Sequence, residues 1–110
     1  MNEINLLEDF KACQKLLIAV GDEQRQYLIS QMLSGCCGMR VAEIAEMSNL
    51  SRPAISHHMQ ILKNAGLVTA EKVGTRIFYT LNLDVPEVKY LEKLLQDMKT
   101  LALEQEGSKR

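Results

Sequence analysis

No stretch of this 110-residue chain approaches the run of about 18 consecutive apolar residues that a membrane-spanning helix needs. The N-terminus, Met1-Asn2-Glu3-Ile4-Asn5, lacks the basic start and apolar core of a secretion signal. The cytoplasm is therefore the expected compartment, with no membrane partner. Cysteine is scarce: Cys13, Cys36 and Cys37 form an odd set with none near the C-terminus. That is no disulfide framework, and it fits a reducing compartment. The sequence also lacks a phosphate-cradling glycine motif, a metal-ligand set, and a Ser-His-Asp or Cys-His arrangement, so neither catalysis nor a cofactor is expected. Internal repeats, low-complexity tracts and interdomain linkers are missing too. One domain over residues 1–106 is expected, with a frayed tail at 107–110.

What remains is ordinary globular composition, 46% hydrophobic and 25% charged. A net charge of −1 counts by itself against a nucleic-acid binder. The distribution of charge points the other way. Between Ser51 and Thr80 the basic residues Arg52, Lys63, Lys72 and Arg76 face Glu71 alone, and both histidines, His57 and His58, lie in the same segment. Residues 1–50 hold four basic side chains, Arg25 and Arg40 among them, against seven acidic ones.

Apolar residues at Leu6, Phe10, Cys13, Leu17 and Val20 step by fours and threes, the spacing of one helical face. Gly21-Asp22 ends that helix and caps a second, which runs through Leu28, Ile29, Met32 and Leu33 to a loop at Gly35-Cys36-Cys37-Gly38. A short third helix follows at Val41–Met47. Ser51 then caps a fourth, whose Pro53 is tolerated in the first turn, whose inward stripe is Ile55, His58, Met59 and Leu62, and which ends at Asn64-Ala65-Gly66. Two short helices joined by a tight turn read as a helix-turn-helix. The β-branched and aromatic runs 67–72 and 76–81 flank Gly74 as a β-hairpin. A last helix from Val85-Pro86 carries Val88, Leu91, Leu95, Met98 and Ala102, a seam wider than a small monomer needs and thus an expected dimer interface. The fold class is mainly α with a small β-hairpin wing, in the order α-α-α-α-β-β-α.

The chain resembles the ArsR-type family of bacterial winged helix-turn-helix repressors. The resemblance rests on Ala19-Val20-Gly21-Asp22-Glu23-Gln24-Arg25, Val41-Ala42-Glu43-Ile44-Ala45, and Leu50-Ser51-Arg52-Pro53-Ala54-Ile55-Ser56-His57-His58-Met59. It continues through Leu62-Lys63-Asn64-Ala65-Gly66-Leu67-Val68 and Gly74-Thr75-Arg76-Ile77-Phe78-Tyr79. Glu23-Gln24 departs from the Pro-Thr often found there. The resemblance implies a homodimer built from the first and last helices, with Phe10, Leu17, Val88, Leu91, Leu95 and Met98 at the interface. It also implies that two recognition helices and two wings face double-stranded DNA, and that a signal releases the repressor from an inverted-repeat operator.

At about 100° per residue, the outward face of the fourth helix holds Arg52, Pro53, Ser56, His57, Gln60, Lys63 and Asn64. Arg, Gln and Asn make paired hydrogen bonds to base edges, and Ser and His single ones. Lys63 and the helix-capping Ser51 suit phosphates. Lys72, Thr75 and Arg76 surround the wing tip. His58 falls on the buried stripe and reads as a core histidine. The rival reading is a winged-helix module that binds protein, which the acidic N-terminal half permits.

Many relatives of this family sense metals. The ligand positions of the third-helix site are here Arg40 and Ala42, and those of the last-helix site are Leu83, Val85, Gln96 and Lys99. None is a useful zinc ligand, so no metal site is expected. Cys36 and Cys37 stand as a possible thiol sensor in the Gly-flanked loop, or as structural or incidental residues. Cys13, on the apolar stripe, reads as a small core residue. The inducer, whether a small molecule or a thiol-reactive agent, is not written in these residues.

Overall fold

The computed structural model describes residues 3–34 and 39–108. Among them the elements run α1 (Leu6–Ala12), α2 (Gln14–Val20), α3 (Glu23–Ser34), β1 (Met39–Arg40), α4 (Val41–Met47), α5 (Arg52–Asn64), β2 (Val68–Val73), β3 (Arg76–Leu81) and α6 (Pro86–Ser108). This is the expected winged helix-turn-helix order with two refinements. The expected first helix breaks at Cys13, and a two-residue strand makes the wing a three-stranded antiparallel sheet, ordered β1-β3-β2. Helix α6 carries on through Gly107 and Ser108, beyond the expected boundary at 106.

At the break the hydrogen bonding of Cys13 changes. Its thiol donates to the Asp9 carbonyl at 3.3 Å, the acceptor that its own backbone N–H would use in a continuous helix. That N–H turns instead to the Lys11 carbonyl. Around the break Cys13, Leu16 and Ala19 are buried, while Phe10, from the apolar stripe of the sequence, is 42% exposed.

The remaining boundaries follow capping chemistry. Asp22 accepts from the backbone N–H of Arg25 at 3.0 Å, and Ser51 from that of Ala54 at 3.3 Å, each satisfying a first-turn N–H that has no intrahelical partner. Helix α5 closes in a Schellman motif. The N–H of Leu67 donates to the Leu62 carbonyl and that of Gly66 to the Lys63 carbonyl, with Gly66 at φ +86. The hairpin register Val73↔Arg76 leaves Gly74-Thr75 as a two-residue turn. Gly74 alone has positive φ, the arrangement of a II′-type hairpin.

The core lies beneath α5. Ile55, Met59 and Leu62 are fully buried against Leu16 and Ala19 of α2, Leu28 of α3 and Ile44 of α4, with Val88 and Leu91 of α6 packed on the same cluster. Helix α1 packs on α6. There Lys93 of α6 bonds the buried Asp9 at 2.9 Å and Asp97 at 2.7 Å. The neighbouring Asp9 and Lys93 side chains hold the Asp97 carboxyl below the ordinary range. No helix among the described residues is long and apolar enough to cross a membrane.

Candidate nucleic-acid interface

Helix α5 divides cleanly into two faces. Ile55, His58, Met59 and Leu62 point into the core, whereas Arg52, Ser56, His57, Gln60, Lys63 and Asn64 are exposed. The apolar face fixes the rotation of the helix, and with it the polar row presented to solvent. Ser51 is exposed at the N-cap, and Lys72, Thr75 and Arg76 are exposed at the wing. The two groups meet, because Arg52 at the start of α5 lines one surface notch together with Thr75 and Arg76. Within the row, Gln60 donates through Nε2 to Asn64 Oδ1 at 2.9 Å.

His58 is held from both sides of its ring. An Arg25 terminal nitrogen lies 3.2 Å from Nδ1, and Gln24 Oε1 lies 3.0 Å from Nε2. Arginine only donates, so Nδ1 accepts, and Nε2 carries the proton and donates to Gln24. Burial, joined by the Arg25 charge and opposed by Asp22, pushes His58 below the usual histidine range, in agreement with a neutral ring.

Arg25 itself is buried. It also donates to the carbonyls of Ala19 at 2.7 Å and Ile18 at 3.2 Å. It thereby ties the end of α2 to the recognition helix, a role that sequence reasoning missed. Gln24, one of the two residues that depart from the family pattern, serves the same network. A charged residue 33 positions upstream of a buried histidine carries no local signal of such a contact.

Of the expected interface side chains on α1, α2 and α6, Phe10 (42%), Leu95 (50%) and Met98 (43%) are exposed. Leu17, Val88 and Leu91 are half-buried within the protomer. Leu7 and Leu103 add further exposed apolar surface to α1 and α6. Cys36 and Cys37 lie outside the described residues. Cys13 is buried, and burial raises its thiol pKa, which makes it a poor nucleophile. Among the described residues no group of three or more His, Cys, Asp or Glu side chains could hold a metal ion.

Residues 22–70 match the profile of the family described as "Bacterial regulatory protein, arsR family". The chain is 37% identical over 67 residues to the transcriptional repressor SdpR of Bacillus subtilis, covering 61% of this chain and 72% of that protein. The structure of HlyU from Vibrio cholerae superposes with a TM-score of 0.60 at 31% identity, over 80% of this chain and 91% of that one; HlyU is named a transcriptional activator. The homodimeric winged helix-turn-helix domain of Mb0332 from Mycobacterium bovis superposes with a TM-score of 0.57 at 27% identity, over 91% and 86% of the two chains.

Proposed function

Since the chain belongs to the ArsR family of bacterial regulatory proteins, whose members are DNA-binding transcription regulators, we propose that it is a homodimeric repressor that reads an inverted-repeat operator and leaves it on a signal. The observation that carries this reading is the single polar row on α5, continuous with the basic wing through the notch shared by Arg52, Thr75 and Arg76. In that frame Arg52, Ser56, His57 and Gln60 meet base edges in the major groove. Ser51, Lys63, Lys72, Thr75 and Arg76 meet phosphate and sugar.

The shape of the protomer supports a dimer. Its radius of gyration is 17.5 Å, against about 13 Å for a compact chain of this length, and exposed apolar side chains lie on the packed pair α1 and α6. A two-fold pairing through Phe10, Leu17, Val88, Leu91, Leu95 and Met98 would cover them and place two recognition helices on one side.

Selection from random duplexes should return an inverted repeat, its half-sites about one helical turn or a multiple apart. On that operator, Ser56→Ala or His57→Ala should weaken binding by about 1–3 kcal/mol and relax preference at one position per half-site. Arg76→Ala should weaken all sequences alike and lower the salt slope by about 0.9 for each protomer engaged. His57→Ala indistinguishable from the parent across operator variants removes that residue from the readout, and parent binding that ignores both sequence and salt defeats the reading as a whole. A promoter–reporter fusion then distinguishes repression from activation.

The signal belongs, in this reading, to Cys36 and Cys37, two thiols next to β1 and α4 in sequence. A change of charge or bulk there would displace α4 and the spacing of the recognition helices. Polysulfide, oxidant or trivalent arsenic should release DNA from the parent but not from a Cys36→Ser, Cys37→Ser double variant, and zinc should leave both bound. Equal responses of parent and double variant to the thiol reagents, or release by zinc, would sink the thiol assignment.

A further inference from the structure

Arg40 lies in the acidic half of the sequence, outside both the recognition helix and the hairpin, yet the fold carries it to the wing. Strand β1 pairs with β3, placing Arg40 opposite Phe78, two residues from Arg76. There Arg40 lines a notch of about 320 Å³ together with Arg52, Thr75 and Arg76. Three separate elements thus contribute an arginine to one concavity: β1 at the start of α4, the first turn of α5, and the wing. A hydroxyl joins them, and no carboxylate lines the notch.

Val41, Ala42 and Ile77 complete the lining, so the polar groups of the notch come from three arginines and a threonine, which have the donors and charge for a tetrahedral oxyanion. Next to a recognition helix and a wing, the oxyanion within reach is a phosphodiester of the DNA backbone. We propose that Arg40, with Arg52, Thr75 and Arg76, seats one backbone phosphate in this notch, which makes Arg40 a DNA-contacting residue and Glu43 its positioning residue. Glu43 Oε1 accepts from Arg40 Nε at 3.0 Å and from the Arg40 backbone N–H at 3.3 Å. The Arg40 hydrogen bonds hold the Glu43 carboxyl below its usual range, so it stays ionised as a fixed anchor. A bond at Nε uses one of five guanidinium donors and leaves the fork geometry for phosphate. The side chain of Arg40 is 35% exposed, so the group is oriented without being sealed away.

This inference rests on the DNA-binding reading and deepens it. Phosphate contacts are independent of sequence, so a short random-sequence duplex serves as the probe, titrated by fluorescence anisotropy over a range of salt. Arg40→Gln should lower the slope of log affinity against log salt by about 0.9 for each protomer engaged. Arg40→Lys, which keeps the charge, should recover most of that slope. Glu43→Gln keeps an acceptor for Nε and removes the negative charge beside the notch, and should tighten binding at low salt. An Arg40→Gln variant with a lowered melting point but the parent slope has lost only a helix-capping contact, and that outcome overturns the phosphate seat. So does Glu43→Gln binding no tighter than the parent, a result that stands even if Arg40→Gln does not fold. A parent that shows no salt-dependent DNA binding brings down the underlying reading, whereas salt-dependent parent binding with an unmoved Arg40→Gln slope brings down this inference alone.

Discussion

A Leu95→Glu variant is expected to run as a folded monomer in light scattering and to bind its operator about 10²–10⁴-fold more weakly than the parent, the range by which linked half-site binding exceeds separate binding. Leu95 is 50% exposed within the protomer, so the new carboxylate meets water in the isolated chain and should leave its helical spectrum intact. In a two-fold pairing through α6, the same carboxylate would be buried without a partner close to its symmetry mate, which is unfavourable on both counts. Each remaining half-site complex would then form alone. The variant separates assembly from folding, which a core substitution cannot do. A stable parent monomer at micromolar concentration, or a Leu95→Glu dimer with the parent's affinity, would show that this seam does not pair.

Leu62→Ala should have the opposite profile, with little direct effect on either interface and a large effect on stability. Leu62 is fully buried beneath α5, between Met59 and the Schellman turn, in a cluster to which α2, α3, α4 and α5 all contribute. Truncating it removes transfer energy and leaves a cavity, a loss of about 2–5 kcal/mol and on the order of 10 °C or more in melting temperature for a domain of this size. Because Leu62 also accepts the hydrogen bond that ends α5, through its backbone carbonyl, the substitution keeps that bond and tests packing alone. Denaturant unfolding at fixed protein concentration measures the change. A shift below about 1 kcal/mol would mean that the site collapses around the smaller side chain.

The features legible in the sequence were those set within one helical turn or one hairpin. Asp22 and Ser51 cap because their carboxylate and hydroxyl oxygens lie three residues from a free N–H. Gly66 and Gly74 end a helix and turn a hairpin because both positions need positive φ. The buried stripe Ile55, His58, Met59 and Leu62 repeats at the helical period, so its complement, the row from Arg52 to Lys63, was determined with it.

Only the tertiary structure decided the rest, and in most cases the partners are distant in the chain. Periodicity alone runs one helix from Leu6 to Val20. It does not register that the helix breaks at Cys13, with Leu16 and Ala19 buried and Phe10 exposed. Arg25 meets His58 across 33 positions, and Lys93 meets Asp9 across 84. A buried charge or ring is satisfied by whatever the packing brings within about 3 Å, which no local pattern encodes. Arg40 is the clearest instance. In the sequence it belongs to the acidic half, but the ladder between β1 and β3 carries its charge to Arg52 and Arg76, because backbone pairing, unlike composition, joins residues without regard to their separation along the chain.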